Sequence, residues 1–143
     1  MQKLVRQFGF YLVWVIALSS LFGSLYFSEV LGFAPCVLCW YQRIAMYPLV
    51  LIIPVGILLK DTKLYYYVLP LSIAGMLIGL YQNLLGWGII REVIAPCAFG
   101  VSCTTKYINY FGFITIPFLS LCAFTSITII MLILRNFKND SRS

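Results

Sequence analysis

Four apolar stretches, each about as long as a bilayer crossing, dominate this chain. They run from about residue 8 to 28, 39 to 59, 64 to 85 and 114 to 134, and Arg43 is the one formally charged residue inside them. A span needs roughly 20 predominantly apolar residues. Of 143 residues, 62% are hydrophobic and only 10% charged, which is more apolar surface than a small soluble core can hide. Backbone groups in lipid must be satisfied within the segment, so the spans are expected to be helices. The expected fold is all-α: an integral membrane four-helix bundle in which residues 1–143 form one domain.

Lys and Arg near span ends set orientation. Lys3 and Arg6 precede the first span, Lys60 and Lys63 separate the second and third, and Arg135, Lys138 and Arg142 follow the fourth. Only Arg91 and Lys106 lie on the opposite side. Both termini are therefore expected in the cytoplasm, with two extracytoplasmic loops. The bias accounts for the net charge of +6 without a nucleic-acid partner; lipid is the expected contact of the basic tails. The first span exceeds a signal-peptide core and lacks a small-x-small cleavage site, so it is expected to be retained.

The loops are short except the second outer one, at about 86–113, which carries Cys97 and Cys103. Cys36 and Cys39 open the second span. Both pairs thus fall on the outer side, where disulfides persist. Ser19, Ser20, Gly23 and Ser24 are expected to form a close helix contact. Pro48 and Pro54 are expected to bend the second span, with neighbouring helices satisfying the freed carbonyls. Tyr65, Tyr66, Tyr67 and Trp87 suit an interfacial aromatic belt. Cys122, deep in span four, reads as a buried small hydrophobe.

The segment Pro35-Cys36-Val37-Leu38-Cys39-Trp40-Tyr41-Gln42-Arg43 concentrates the chemistry. Pro35 suits a first helical turn, which places Cys36 and Cys39 on one face at i and i+3, and the positive helix end favours a thiolate. Arg43 shares that face. An intramembrane cation marks a functional site by default, able to polarise a ligand carbonyl or steady a thiolate; snorkelling to headgroups is the bland alternative. A zinc site made of the four cysteines is disfavoured by the five-residue gap between Cys97 and Cys103, and no histidine exists to complete a mixed one. No metal is expected.

This run, in this topology, resembles the DsbB/BdbC family of membrane disulfide-bond oxidoreductases over the whole chain. The resemblance implies a bacterial cytoplasmic-membrane enzyme that re-oxidises an extracytoplasmic thioredoxin-fold oxidase of the DsbA/BdbD kind. Electrons would pass to a quinone, ubiquinone or menaquinone. Cys36 and Cys39 would be the quinone-proximal pair, Cys39 nearest the quinone, with Arg43 supporting quinone binding. Cys97 would form the mixed disulfide with the partner, and Cys103 would exchange with Cys36. The close spacing of Cys97 and Cys103 matches short-loop BdbC-type members. Gln82, near the outer end of span three, is a candidate lining residue of the quinone pocket. Two alternatives stand beside this reading. One is a vitamin K epoxide reductase-like enzyme, although its C-x-x-C lies late in the bundle. The other is a non-enzymatic scaffold with structural disulfides, which leaves Arg43 unexplained.

Overall fold

The computed structural model of the chain describes residues 1–32, 35–90 and 115–140. They form four long helices: α1, Gln2–Leu25; α2, Val37–Leu58; α3, Tyr65–Gly86; and α4, Ile116–Asp140. A single π-helical turn, Tyr26–Val30, extends α1. No strand occurs among the described residues, and each helix is long and apolar enough to cross a membrane. The fold is an all-α membrane four-helix bundle.

The helix ends differ from the apolar boundaries. α1 begins at Gln2 rather than near residue 8, and α4 continues past residue 134 through Arg135 and Lys138. Helical hydrogen bonding does not stop where hydrocarbon stops; charged residues continue the helix into the interface. Between α2 and α3 the chain reverses through Lys60, at φ +51°, and Asp61 accepts a hydrogen bond from the Lys63 N–H at 2.8 Å.

Each helix packs on two neighbours in a ring, α1–α2–α3–α4–α1. Their contacts run in opposite sequence directions. Trp14 meets Val50 while Ser24 meets Arg43; Ser72 meets Thr128 while Gly79 faces Leu121. The helices therefore alternate up and down, which brings the ends of α1 and α3 and the starts of α2 and α4 together. Val13, Ala17, Leu49, Ile53, Val68, Phe124, Ile127 and Met131 form a fully buried core. In lipid such packing rests on close van der Waals contact rather than on water exclusion. Gly75 lets the Phe124 ring of α4 lie against α3, since a Cβ there would lie 2.3 Å from that ring.

Pro54 leaves the Val50 carbonyl without its helical donor. The Trp14 indole N–H of α1 supplies one at 3.2 Å, a neighbouring helix completing the ladder as expected. Three other expectations change. Tyr65 is buried in the bundle rather than facing outward with Tyr66 and Tyr67, and the Lys138 Nζ of α4 lies 5.2 Å from its ring centroid. Cys122 is exposed on the outer face of α4 rather than buried. Of the small residues of α1, Ser24 does meet α2, through Arg43, but a Cβ on Gly23 would meet nothing within 4 Å, and Ser19 and Ser20 turn back onto the Val15 and Ile16 carbonyls of their own helix.

Candidate functional site

The gap left beside those small residues lies at the end of the bundle that holds Cys36 and Cys39. Cys36 is the N-cap of α2, with φ −72° and ψ 168°, and its sulfur accepts the Cys39 N–H at 3.4 Å. Pro35 consequently precedes the cap and does not enter the first turn, because Cys36 takes the extended geometry that a cap requires. The cap folds Cys36 back over the turn that carries Cys39. Both are free thiols with sulfurs 2.9 Å apart, against about 2.05 Å in a disulfide, so a small side-chain adjustment closes the bond. Cys36 is buried with Leu38 and Leu85, and Cys39, Ile78 and Tyr81 pack against that cluster.

Gln82 reaches the sulfurs from α3. Its Nε2 donates to Cys36 Sγ at 3.1 Å and to Cys39 Sγ at 3.2 Å. The Gln82 carbonyl oxygen accepts from Gln42 Nε2 at 2.8 Å, and the Gln42 carbonyl oxygen accepts from the Ser120 hydroxyl of α4. Three helices thus feed one polar chain ending at the sulfurs. Gly79 lies beside it: a Cβ there would come into ordinary van der Waals contact, 3.6 Å from Gln42 Nε2 and 3.5 Å from the Leu121 backbone. Gln82 therefore sits against the thiols and is absent from the lining of the cleft described next.

Arg43 is buried, with 7% exposure, so it does not snorkel. Its Nε donates to Ser24 Oγ at 2.9 Å and its Nη2 to the Ser24 carbonyl at 2.8 Å. Trp40 covers the guanidinium at 5.4 Å. These contacts fix the fork between α1 and α2, one turn below Cys39. A cleft of about 190 Å³ opens beside it, lined by Arg43, Cys39, Gln42 and Ser120 among apolar residues including Phe27 and Phe124. Of the two thiols, only Cys39 contributes to this lining. Ser19 and Leu119, also in the lining, are exposed on the flank of the bundle, so the cleft reaches the lipid-facing surface between α1 and α4.

Cys97 and Cys103 lie outside the described residues, so the structure brings together Cys36, Cys39, Arg43 and Gln82 of the expected site. Gln42, Ser120 and Ser24 join them without having been singled out for chemistry. The signal for Gln42 and Ser120 was polarity within an apolar span, which membrane helices retain when it has partners. Chemically, the arrangement holds a closable dithiol under amide donors, with one sulfur and one fixed cation facing a lipid-accessible cleft.

Residues 6–134 match the family model described as "Disulfide bond formation protein DsbB". The chain is 50% identical over 134 residues to the Bacillus subtilis "Disulfide bond formation protein C", covering 91% of this chain and 94% of that one. It is 47% identical over 121 residues to the Halalkalibacterium halodurans "Probable disulfide formation protein C", with 85% and 88% covered. A "Probable disulfide formation protein" of Oceanobacillus iheyensis is 47% identical over 126 residues, covering 87% of each chain. No solved structure matches. With a thiol pair built into a membrane bundle and relatives matched along nearly their full length, this chain belongs to the DsbB family of disulfide bond formation proteins.

Proposed function

We propose that this protein oxidises a reduced thioredoxin-fold thiol oxidase on the extracytoplasmic side and passes the electrons to a membrane quinone, as a dithiol:quinone oxidoreductase. The observation that carries the proposal is the position of Cys39, which shares a closable sulfur pair with Cys36 and faces the lipid-accessible cleft beside Arg43. The quinone is the acceptor substrate, taking two electrons and two protons to become a quinol while two thiols become one disulfide.

The residues around the cleft suit such a substrate. At about 190 Å³ it is smaller than the roughly 300–1,000 Å³ of ordinary small-molecule pockets. It would hold a ring and leave an isoprenoid tail in lipid. Arg43 has N–H groups beyond the two bound to Ser24 and can donate to a ring carbonyl. Phe27 and Phe124 supply apolar walls. Cys39 is the sulfur positioned to deliver electrons, and Cys36, turned from the cleft, is the one to exchange with an outer-loop thiol. In the relay, Cys97 takes the partner's electrons through a mixed disulfide, and Cys103 exchanges with Cys36. That order rests on the family resemblance, as does the bacterial cytoplasmic membrane; the Lys and Arg bias supports a Cys36 end outside it with both termini inside, and the lack of a long linker supports 1–143 acting as one domain.

Quinone reduction by purified protein with a reduced thioredoxin-fold donor tests the reading. Replacing Cys39 by serine should abolish turnover while still allowing a trapped partner complex; unimpaired turnover would remove Cys39 from the electron path.

A further inference from the structure

The polar chain that ends on the sulfurs has a direction. Gln82 commits both amide protons to Cys36 and Cys39, so its carbonyl oxygen is left to accept. It accepts from the Gln42 amide, and the Gln42 carbonyl in turn accepts the Ser120 hydroxyl proton. Each link fixes the orientation of the next, and all of them point protons toward the sulfurs. Gln42 and Gln82 are only 6% and 1% exposed, so little solvent competes for these bonds.

We propose that Ser120 and Gln42 are positioning residues that, acting through Gln82, shift the Cys36–Cys39 equilibrium toward the dithiol. The sulfurs of a reduced pair, above all a thiolate, accept hydrogen bonds more strongly than those of a disulfide. Aligned bonds in a low dielectric polarise one another, and a buried donor facing a poor acceptor is penalised. The two Gln82 N–H groups aimed at the pair therefore favour its reduced form and make the disulfide a stronger oxidant of incoming thiols. Ser120 touches neither sulfur, yet without its hydroxyl the Gln42 carbonyl is unsatisfied, and that amide is free to rotate and turn an acceptor toward Gln82. The proposal deepens the function above, resting on a Cys36–Cys39 pair that cycles between dithiol and disulfide.

The test uses the 143-residue chain in detergent, with Cys97, Cys103 and Cys122 replaced by alanine so that one pair titrates. It is equilibrated in glutathione buffers without quinone, and free thiols are counted by mass tagging. Each disulfide reduced takes two electrons and two protons from two glutathione thiols, which become one glutathione disulfide. Ser120→Ala should lower the equilibrium constant for reduction about threefold, or about 15 mV where tenfold is about 30 mV. Gln42→Leu should lower it about tenfold, and Ser120→Thr should restore the unsubstituted value. A purely structural role would leave the constant unmoved. If Ser120→Ala does not yield folded protein, Gln42→Leu carries the same test. Constants equal to the unsubstituted value in these variants overturn the proposal. Quinone reduction by the native chain, measured in parallel, separates the two readings: its absence with the shift present would overturn the quinone assignment alone.

Discussion

Ser24→Ala isolates the anchor that holds Arg43. The substitution removes one acceptor, Ser24 Oγ, at 2.9 Å from Arg43 Nε, and keeps the carbonyl that binds Nη2 at 2.8 Å. A hydrogen bond to a charged group contributes about 1.5–3 kcal/mol. Because the second bond and the Trp40 contact survive, the lower end applies to Arg43 positioning. About 1.4 kcal/mol is a factor of ten, so the apparent KM for a short-chain quinone should rise about tenfold. The KM for the reduced protein partner should change less than twofold, since Ser24 lines the cleft and not the Cys36 side. The assay is steady-state quinone reduction, varying each substrate with the other saturating. A tenfold rise in the partner KM with the quinone KM unchanged would refute the placement of Arg43 at the quinone.

Arg43→Ala should raise the quinone KM further than Ser24→Ala and again spare the partner KM, measured in the same assay. Trp14→Phe should destabilise the bundle by about 1–2 kcal/mol, the penalty of a buried carbonyl left unpaired. In a Pro54→Ala background Val50 O regains its helical donor, so a double-mutant cycle in denaturant should show that penalty largely gone. Gly75→Ala places a Cβ 2.3 Å from the Phe124 ring and should destabilise by about 1–3 kcal/mol through overpacking. Because Phe124 lines the cleft, the quinone KM should rise with the loss of thermal stability.

Hydropathy was enough to place the four helices, because lipid demands about 20 apolar residues whatever their partners. It could not place their ends: Lys3, Arg6, Arg135 and Lys138 remain helical beyond the apolar stretch. The cysteine spacing pointed to a thiol pair, and the charge of Arg43 marked it as unusual. Its acceptor was hidden, because Ser24 looks like Ser19 and Ser20 until helix packing turns one toward Arg43 and leaves the others on their own carbonyls. Ser120 was harder still. A helical hydroxyl ordinarily bonds its own preceding turn, as Thr125 and Ser126 do. Its contact with Gln42 crosses from α4 to α2, so it exists only once the bundle has packed. Cys122 was misplaced because depth along a span says nothing about which face a residue occupies.

A relay from a protein dithiol to a quinone is tested most directly by quinone reduction by the purified chain with a reduced thioredoxin-fold oxidase as donor. Turnover should be seen with the unsubstituted chain and disappear in both Cys39→Ser and Cys97→Ser. No turnover with either ubiquinone or menaquinone, together with disulfides that resist thiol exchange, would contradict it and leave a membrane scaffold with structural disulfides.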